Sequence, residues 1–235
     1  MQFVNLHTHF YTNSDSNLEI VNQYPNEFSE EIPLYSIGIH PWRIEESRLD
    51  NDLKIIKEKL SLTECIALGE CGLDKRIDKI YSTQIDVFES QLSLLQEISK
   101  PVILHCVASF DEVISCKKNS GLTSPFIIHG FSKNIQVAKQ LLNQDFHLSF
   151  GKYLLRNPEL GDVFKQIPNE KIFLETDTIA ESLEEVYTFA AKCKNISTEE
   201  MKEIVWNNYQ TVFNKKNKLW QNGKKEQLYY LKKKA

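Results

Sequence analysis

Four histidines and two carboxylates stand at or just past the ends of short apolar runs in this chain. His7 and His9 lie in FVNLHTH, Glu70 follows CIALG, His105 closes PVILH, His129 closes PFIIH, and Asp177 follows IFLET. Imidazole nitrogens and carboxylate oxygens are ligands for divalent cations. Four imidazoles and two carboxylates are enough for two such ions, with a carboxylate such as Glu70 able to bridge them. Two ions a few ångströms apart clamp a phosphoryl or carbonyl oxygen and deprotonate a shared water near neutral pH. Asp177, beside one ion and that water, would be placed to take the proton. Singly, each residue has a plainer explanation. His-x-His is a weak pattern, Glu70 could pair with Lys75 or Arg76, Asp177 could cap a following helix, and His105 or His129 could be core histidines. Their shared placement at strand ends argues for one site.

The elements that must position them follow from periodicity. Eight apolar runs, at 3–7, 18–24, 35–39, 65–69, 102–105, 126–129, 146–150 and 172–175, are mostly too continuously apolar to face water on one side, as in buried parallel strands. Amphipathic stretches lie between them: Leu49, Leu53, Ile56 and Leu60 share one helical face, as do Ile85, Phe88, Leu92 and Leu95. Asn157-Pro158 reads as an N-cap followed by proline at the first helical position. Ser197-Thr198-Glu199-Glu200 has capping-box spacing and opens a last helix running to about Phe213. Strand and helix alternating over eight strands predict an α/β fold, a (β/α)8 TIM barrel, whose reacting groups gather at the carboxyl rim. Residues i and i+2 on a strand point the same way, so His7 and His9 can both face that rim. About ten residues, including TNSDSN, separate the first two runs, too few for a helical crossover. The barrel is therefore expected to be irregular, with its first helix missing.

The 235 residues, 41% hydrophobic, suit one domain over 1–213. A tail over 214–235 holds eight lysines and one glutamate, and leaves the rest of the chain with a net charge of −11. Its interleaved Trp220, Tyr229 and Tyr230 fit either a nucleic-acid contact or a solvated helix docked by its aromatics. No apolar run is long enough for a bilayer, and no basic-then-hydrophobic leader opens the chain. Five cysteines without a CxxC pair argue against a disulfide framework or a thiolate zinc knot. The expected setting is the reducing cytoplasm.

The ordered set HTH, GIHPW (38–42), GECGLD (69–74), PVILHC (101–106), HGFS (129–132) and ETDT (175–178), followed by NNYQTVF (207–213), resembles the TatD family. These are metal-dependent hydrolases of the amidohydrolase-like barrel superfamily, several of them deoxyribonucleases. The likeness runs from Phe3 to Phe213. It implies His7, His9, Glu70, His105, His129 and Asp177 as metal ligands, with Glu70 bridging, which agrees with the reading from strand ends. It adds His40 as a contact to a substrate phosphate. It also implies a role near the site for Asp74, for which a helix cap or a salt bridge to Arg76 is an equal alternative.

Departures from the family pattern bear on substrate. Asn5 stands where many members have aspartate two residues before the first histidine; it could orient an imidazole without charge. Gly130 and Lys133 replace cysteine and glycine of the family's HCFSG. In HCVAS, Val107 occupies the position of an arginine that grips phosphate, and Lys152 or Arg156 in SFGKYLLR are candidates to compensate.

The expected activity is that of a phosphodiesterase acting on nucleic-acid ends, DNA or RNA, in the manner of a 3′-5′ deoxyribonuclease. Asp177 and Glu70 would be catalytic and the cofactors two divalent ions: magnesium, manganese or zinc. No membrane partner is expected. One alternative keeps the metals and changes the bond to an amide, ester or lactone; another is a catalytically silent metal-binding scaffold. A three-metal phosphoesterase of the PHP type needs more histidines than this chain has.

Overall fold

The apolar runs form eight strands in a computed structural model that describes residues 1–213. They are β1 (Phe3–Thr8), β2 (Asn17–Gln23), β3 (Tyr35–Ile37), β4 (Cys65–Asp74), β5 (Val102–Val107), β6 (Phe126–Ile128), β7 (Phe146–Phe150) and β8 (Ile172–Leu174). All pair in parallel and in chain order, and an isolated bridge between Thr8 and Asp177 brings β1 against the chain beyond β8. The barrel is nearly closed. The helices are α1 (Leu49–Leu60), α2 (Tyr81–Ser93), α3 (Phe110–Ser120), α4 (Ile135–Leu142), α5 (Lys152–Arg156), α6 (Pro158–Gln166), α7 (Leu183–Lys194) and α8 (Thr198–Phe213). Among the described residues, no helix is long and apolar enough to cross a membrane. All five cysteines are free. The lysine-rich segment 214–235 lies outside the described residues.

Both faces of most strands are buried, as their continuous apolar character requires. Val4, Leu6, Ile103, Leu104, Ile127, Phe146, Leu148 and Phe173 are all fully inaccessible. Helices cover the outer face through aromatics: Phe164 of α6 meets Phe150 of β7 edge to face, ring centroids 4.9 Å apart. Each such buried phenyl contributes about 1.5–3 kcal/mol. The predicted caps form. Asn157 accepts from the Glu159 amide ahead of α6, and Ser197 and Glu200 exchange side-chain and backbone bonds at the start of α8.

The first helix is absent as expected, and the loop in its place is pinned by Glu19, which accepts from the Thr12 amide and hydroxyl, each at 2.9 Å. A second α-helix is absent too. Between β2 and β3 there is one 3₁₀ turn, Pro25–Glu27, because eleven residues carrying two prolines leave no room for a longer helix. Two strand ends also differ from expectation. β4 continues five residues past Gly69, so Glu70 sits inside the strand and Asp74 at its tip; β3 stops at Ile37, so His40 falls in the turn beyond.

Candidate active site

The carboxyl ends of the strands surround a cavity of about 500 Å³, within the usual range for a small-ligand site. At its floor Glu70 is 3% exposed, and both its carboxylate oxygens face imidazoles. Oε2 lies 3.3 Å from His7 Nε2 and 3.7 Å from His9 Nε2. Oε1 lies 2.8 Å from His129 Nε2, 2.9 Å from His105 Nδ1 and 3.1 Å from His40 Nε2. Asp177 Oδ1 is 3.5 Å from His9 Nε2 and 3.9 Å from His7 Nε2.

Close backbone approach makes this possible. Gly69 and Gly72 flank Glu70 on β4 with φ of 135° and 136°, and a methyl at either would overlap a carbonyl oxygen of β5, that of Ile103 or His105. The Glu70 amide is held by the Asn22 side chain at 2.6 Å. Asp177 adopts a left-handed backbone, φ 56°, costly for a non-glycine residue. It is kept there by its amide donating to the His7 carbonyl at 2.9 Å and its carbonyl accepting from the His9 amide at 3.2 Å.

These donors form three compact groups: His7, His9 and Glu70; His7, His129 and Asp177; and His40, Glu70 and His105. His7 is fully buried, yet neither of its ring nitrogens makes a hydrogen bond. Buried polar nitrogens left so are rare, and a cation beside Glu70 and Asp177 would satisfy one. Burial and then the neighbouring His7 press the His9 imidazole down to about 4, which leaves it neutral at physiological pH, the form that binds metal. Burial works against the charged forms of Glu70 and His129. Their mutual attraction outweighs it, holding Glu70 well below the usual carboxylate range and His129 well above its ordinary value. The donor set fits divalent cations with nitrogen and oxygen ligands.

Outer partners set which nitrogen each histidine presents. His129 directs Nδ1 to Glu175 Oε1 at 3.3 Å, and Nε2 to Glu70. His105 is reversed, with Nδ1 toward Glu70 and Nε2 toward Asp74 Oδ2 at 3.2 Å. His40 accepts the Trp42 amide on Nδ1 at 3.1 Å. Its proton is therefore on Nε2, donated to Glu70, and despite its proximity it has no lone pair to offer a metal.

Asp74 is neither a helix cap nor a partner of the Arg76 guanidinium. Its Oδ1 accepts the Arg76 amide at 2.8 Å, and its Oδ2 takes the Trp42 indole N–H at 2.8 Å beside His105. Asn5 does not orient an imidazole by a hydrogen bond. Its amide oxygen and nitrogen bond to the Thr176 amide and hydroxyl at 3.0 and 2.8 Å.

Lys152 reaches the cavity, with Nζ 2.7 Å from Asp177 Oδ2. Arg156 does not; it pairs with Glu181 at 2.7 Å on the surface. Val107 and Lys133 both line the cavity. Arg43, not singled out from the sequence and stacked 3.9 Å over Tyr24, also gathers there, as does Arg76. Glu175 was legible within ETDT as a second carboxylate at the same strand end, and Arg43 as a cation one residue beyond GIHPW.

The chain matches the model of a family described as TatD related DNase over residues 1–214. It is 33% identical to "Uncharacterized metal-dependent hydrolase YabD" of Bacillus subtilis, a match covering 60% of this chain and 57% of that one. It is 27% identical to "3'-5' ssDNA/RNA exonuclease TatD" of Citrobacter rodentium, over 67% of this chain and 59% of that one. Each match thus spans less than two thirds of the relative's length. The crystal structure of YjjV, a TatD homologue from Escherichia coli, superposes with a TM-score of 0.77 at 21% identity, over 90% of this chain and 98% of that one, and shares the barrel. With a family match from end to end of the described barrel, the chain belongs to the TatD related DNase family of metal-dependent hydrolases.

Proposed function

We propose that the protein is a two-metal phosphodiesterase acting on nucleic-acid ends, with His7, His9, Glu70, His105, His129 and Asp177 as ligands. The observation that carries this reading is the division of Glu70: one oxygen faces His7 and His9, the other His105 and His129. Divalent ions held on the two sides would polarise a phosphoryl oxygen and acidify a bound water. Asp177 Oδ1 faces His7 and His9, where it takes the proton of the attacking water, while Lys152 holds the other oxygen and fixes the carboxylate's rotation. His40 Nε2–H, directed at Glu70 Oε1, is a donor for a non-bridging phosphate oxygen.

The rim supports this substrate class. Arg43, Arg76, Lys133 and Lys152 supply positive charge for a phosphodiester backbone, and Tyr24, Trp42 and Tyr153 offer faces for stacked bases. Lys133 and Lys152 stand in for the arginine that Val107 replaces. The exonuclease name of the Citrobacter relative supports the same substrate.

The test is a metal-loaded assay on 3′-end-labelled single-stranded DNA and RNA, beside Asp177→Asn. Stepwise shortening is expected, slowed about 10²- to 10⁴-fold in the variant. Intact substrate with fully loaded protein overturns the reading. Val107, a neutral wall where a phosphate clamp was expected, favours a second reading: hydrolysis of an ester, amide or lactone at the same site. Turnover of such substrates without phosphodiester cleavage would establish it.

A further inference from the structure

Trp42 is out of keeping with its surroundings. It is 60% exposed, the largest exposed side chain at the cavity, yet its indole N–H is bonded inward to a carboxylate that is 2% exposed. An exposed indole needs no protein partner for its N–H, because water serves. The bond therefore matters for what lies on its far side. Asp74 Oδ2 receives the Trp42 N–H at 2.8 Å and stands 3.2 Å from His105 Nε2.

The proton on His105 is what this contact decides. A neutral imidazole carries one N–H and one lone pair, and both nitrogens of His105 face carboxylates. Glu70 Oε1 already receives His40 Nε2–H and faces His129 Nε2. Asp74 is built only to accept: Oδ1 takes the Arg76 amide, and Oδ2 lies between the indole N–H and His105. A bare nitrogen against Asp74 Oδ2 would set lone pair against lone pair. Glu70 Oε1, 2.9 Å from Nδ1, accepts as well, so it is a cation beside Glu70 that takes the Nδ1 lone pair and leaves the proton on Nε2 for Asp74. The Trp42 ring also packs edge-on against both histidines, with centroids 5.0 Å from His40 and 5.7 Å from His105.

We propose that Trp42 is a positioning residue for the metal centre: its indole N–H aims Asp74 Oδ2 so that the proton of His105 is held on Nε2 and Nδ1 is left free for a cation. The inference rests on the metal-holding part of the reading above and is independent of the substrate. Trp42 touches the centre twice, and the two contacts are separable. Its backbone amide holds His40 whatever the side chain, so a substitution at 42 tests the indole alone.

Trp42→Phe keeps a ring against both histidines and removes the N–H. Manganese titrated calorimetrically into metal-free protein is expected to bind about tenfold or more weakly in Trp42→Phe, and at least as weakly in Asp74→Asn. Long-range ¹H–¹⁵N spectra of the zinc-loaded wild type are expected to show His105 protonated on Nε2, and zinc-loaded Trp42→Phe to show a mixture. Wild-type manganese affinity in a folded Trp42→Phe overturns the proposal, as does an Nδ1–H tautomer in the zinc-loaded wild type. Should Trp42→Phe fail to fold, the wild-type tautomer decides alone. No nucleic acid enters these measurements, so their failure and failure of the nuclease assay are distinguishable.

Discussion

Between β4 and β5 a backbone ladder runs from Leu68 to Asp74 on one strand and from Val102 to Val107 on the other. Between β8 and β1, the described residues hold a single bridge, Thr8 to Asp177, with backbone bonds to the neighbouring His7 and His9. Below that bridge, side chains stand where a ladder would. Asn5 spans to Thr176, and the Tyr187 hydroxyl of α7 donates to the Val4 carbonyl at 2.8 Å while accepting the Val4 amide at 3.0 Å. The two sides also divide the site. Glu70, Asp74 and His105 stand on the laddered flank; His7, His9 and Asp177 stand on the seam. The carboxylate shared by both groups of histidines thus sits at an irregularity in a ladder that resumes right after it, at Cys71, and its own amide is held by the Asn22 side chain. The one proposed to move a proton sits where closure depends on a single backbone bridge and a few side-chain bonds.

The largest effect should come from breaking the shared element. Glu70→Gln keeps the size of the side chain and removes the charge that both sides use. Loss of both bound ions by elemental analysis and a fall in turnover of about a thousandfold or more are expected. Retention of two ions would mean that the flank and the seam hold metal independently.

A smaller effect isolates the seam. Tyr187→Phe leaves the Val4 amide and carbonyl without the hydroxyl that serves them, and should lower stability by about 1–3 kcal/mol in urea unfolding. Hydrogen exchange should speed up at the His9 and Asp177 amides and stay unchanged at Leu73 and Asp74. Equal acceleration on both sides would erase the contrast.

The smallest effect is a titration. In metal-free protein, burial lowers the His129 pKa, and the Glu70 and Glu175 carboxylates more than reverse this, leaving it well above 6.5. A raised folded value gives stability fully present below pH 6.5 and lost as pH climbs through that value. A metal needs Nε2 bare, so binding expels the proton, and affinity should rise by up to about tenfold per pH unit below the folded pKa. Calorimetry in buffers of different ionisation enthalpy would count the protons. Metal affinity flat across pH 6–8 would show His129 neutral beforehand.

Much of the centre is legible in the order of the residues alone. His7, His9, Glu70, His105, His129 and Asp177 each mark where an apolar run meets polar chain, and a parallel barrel gathers all such points on one rim. What is not legible there depends on register and on contacts across the barrel. The apolar pattern of CIALG ends at Gly69, but pairing with β5 carries β4 on to Asp74, because glycines at 69 and 72 let the backbones close in. Asn5 reads locally as a weakened aspartate, and only the proximity of Thr176, 171 residues away, gives it a role at the seam. Arg156 lies one helical turn beyond Lys152, yet α5 turns it outward to Glu181.

The hydrogen bonds that hold Asp177 in its left-handed conformation are also those that join the first strand to the eighth. The carboxylate proposed to take the proton reaches its place only when residues 7 to 9 meet residue 177, among the longest loop closures the chain makes. Closure of that length is entropically costly and slow relative to local pairing. A nascent or partly folded chain can gather Glu70, His105 and His129, but not the seam that completes the centre. Completion of the proposed centre is thus tied to this long-range closure, and a cation held between His7 and Asp177 would serve as its clasp.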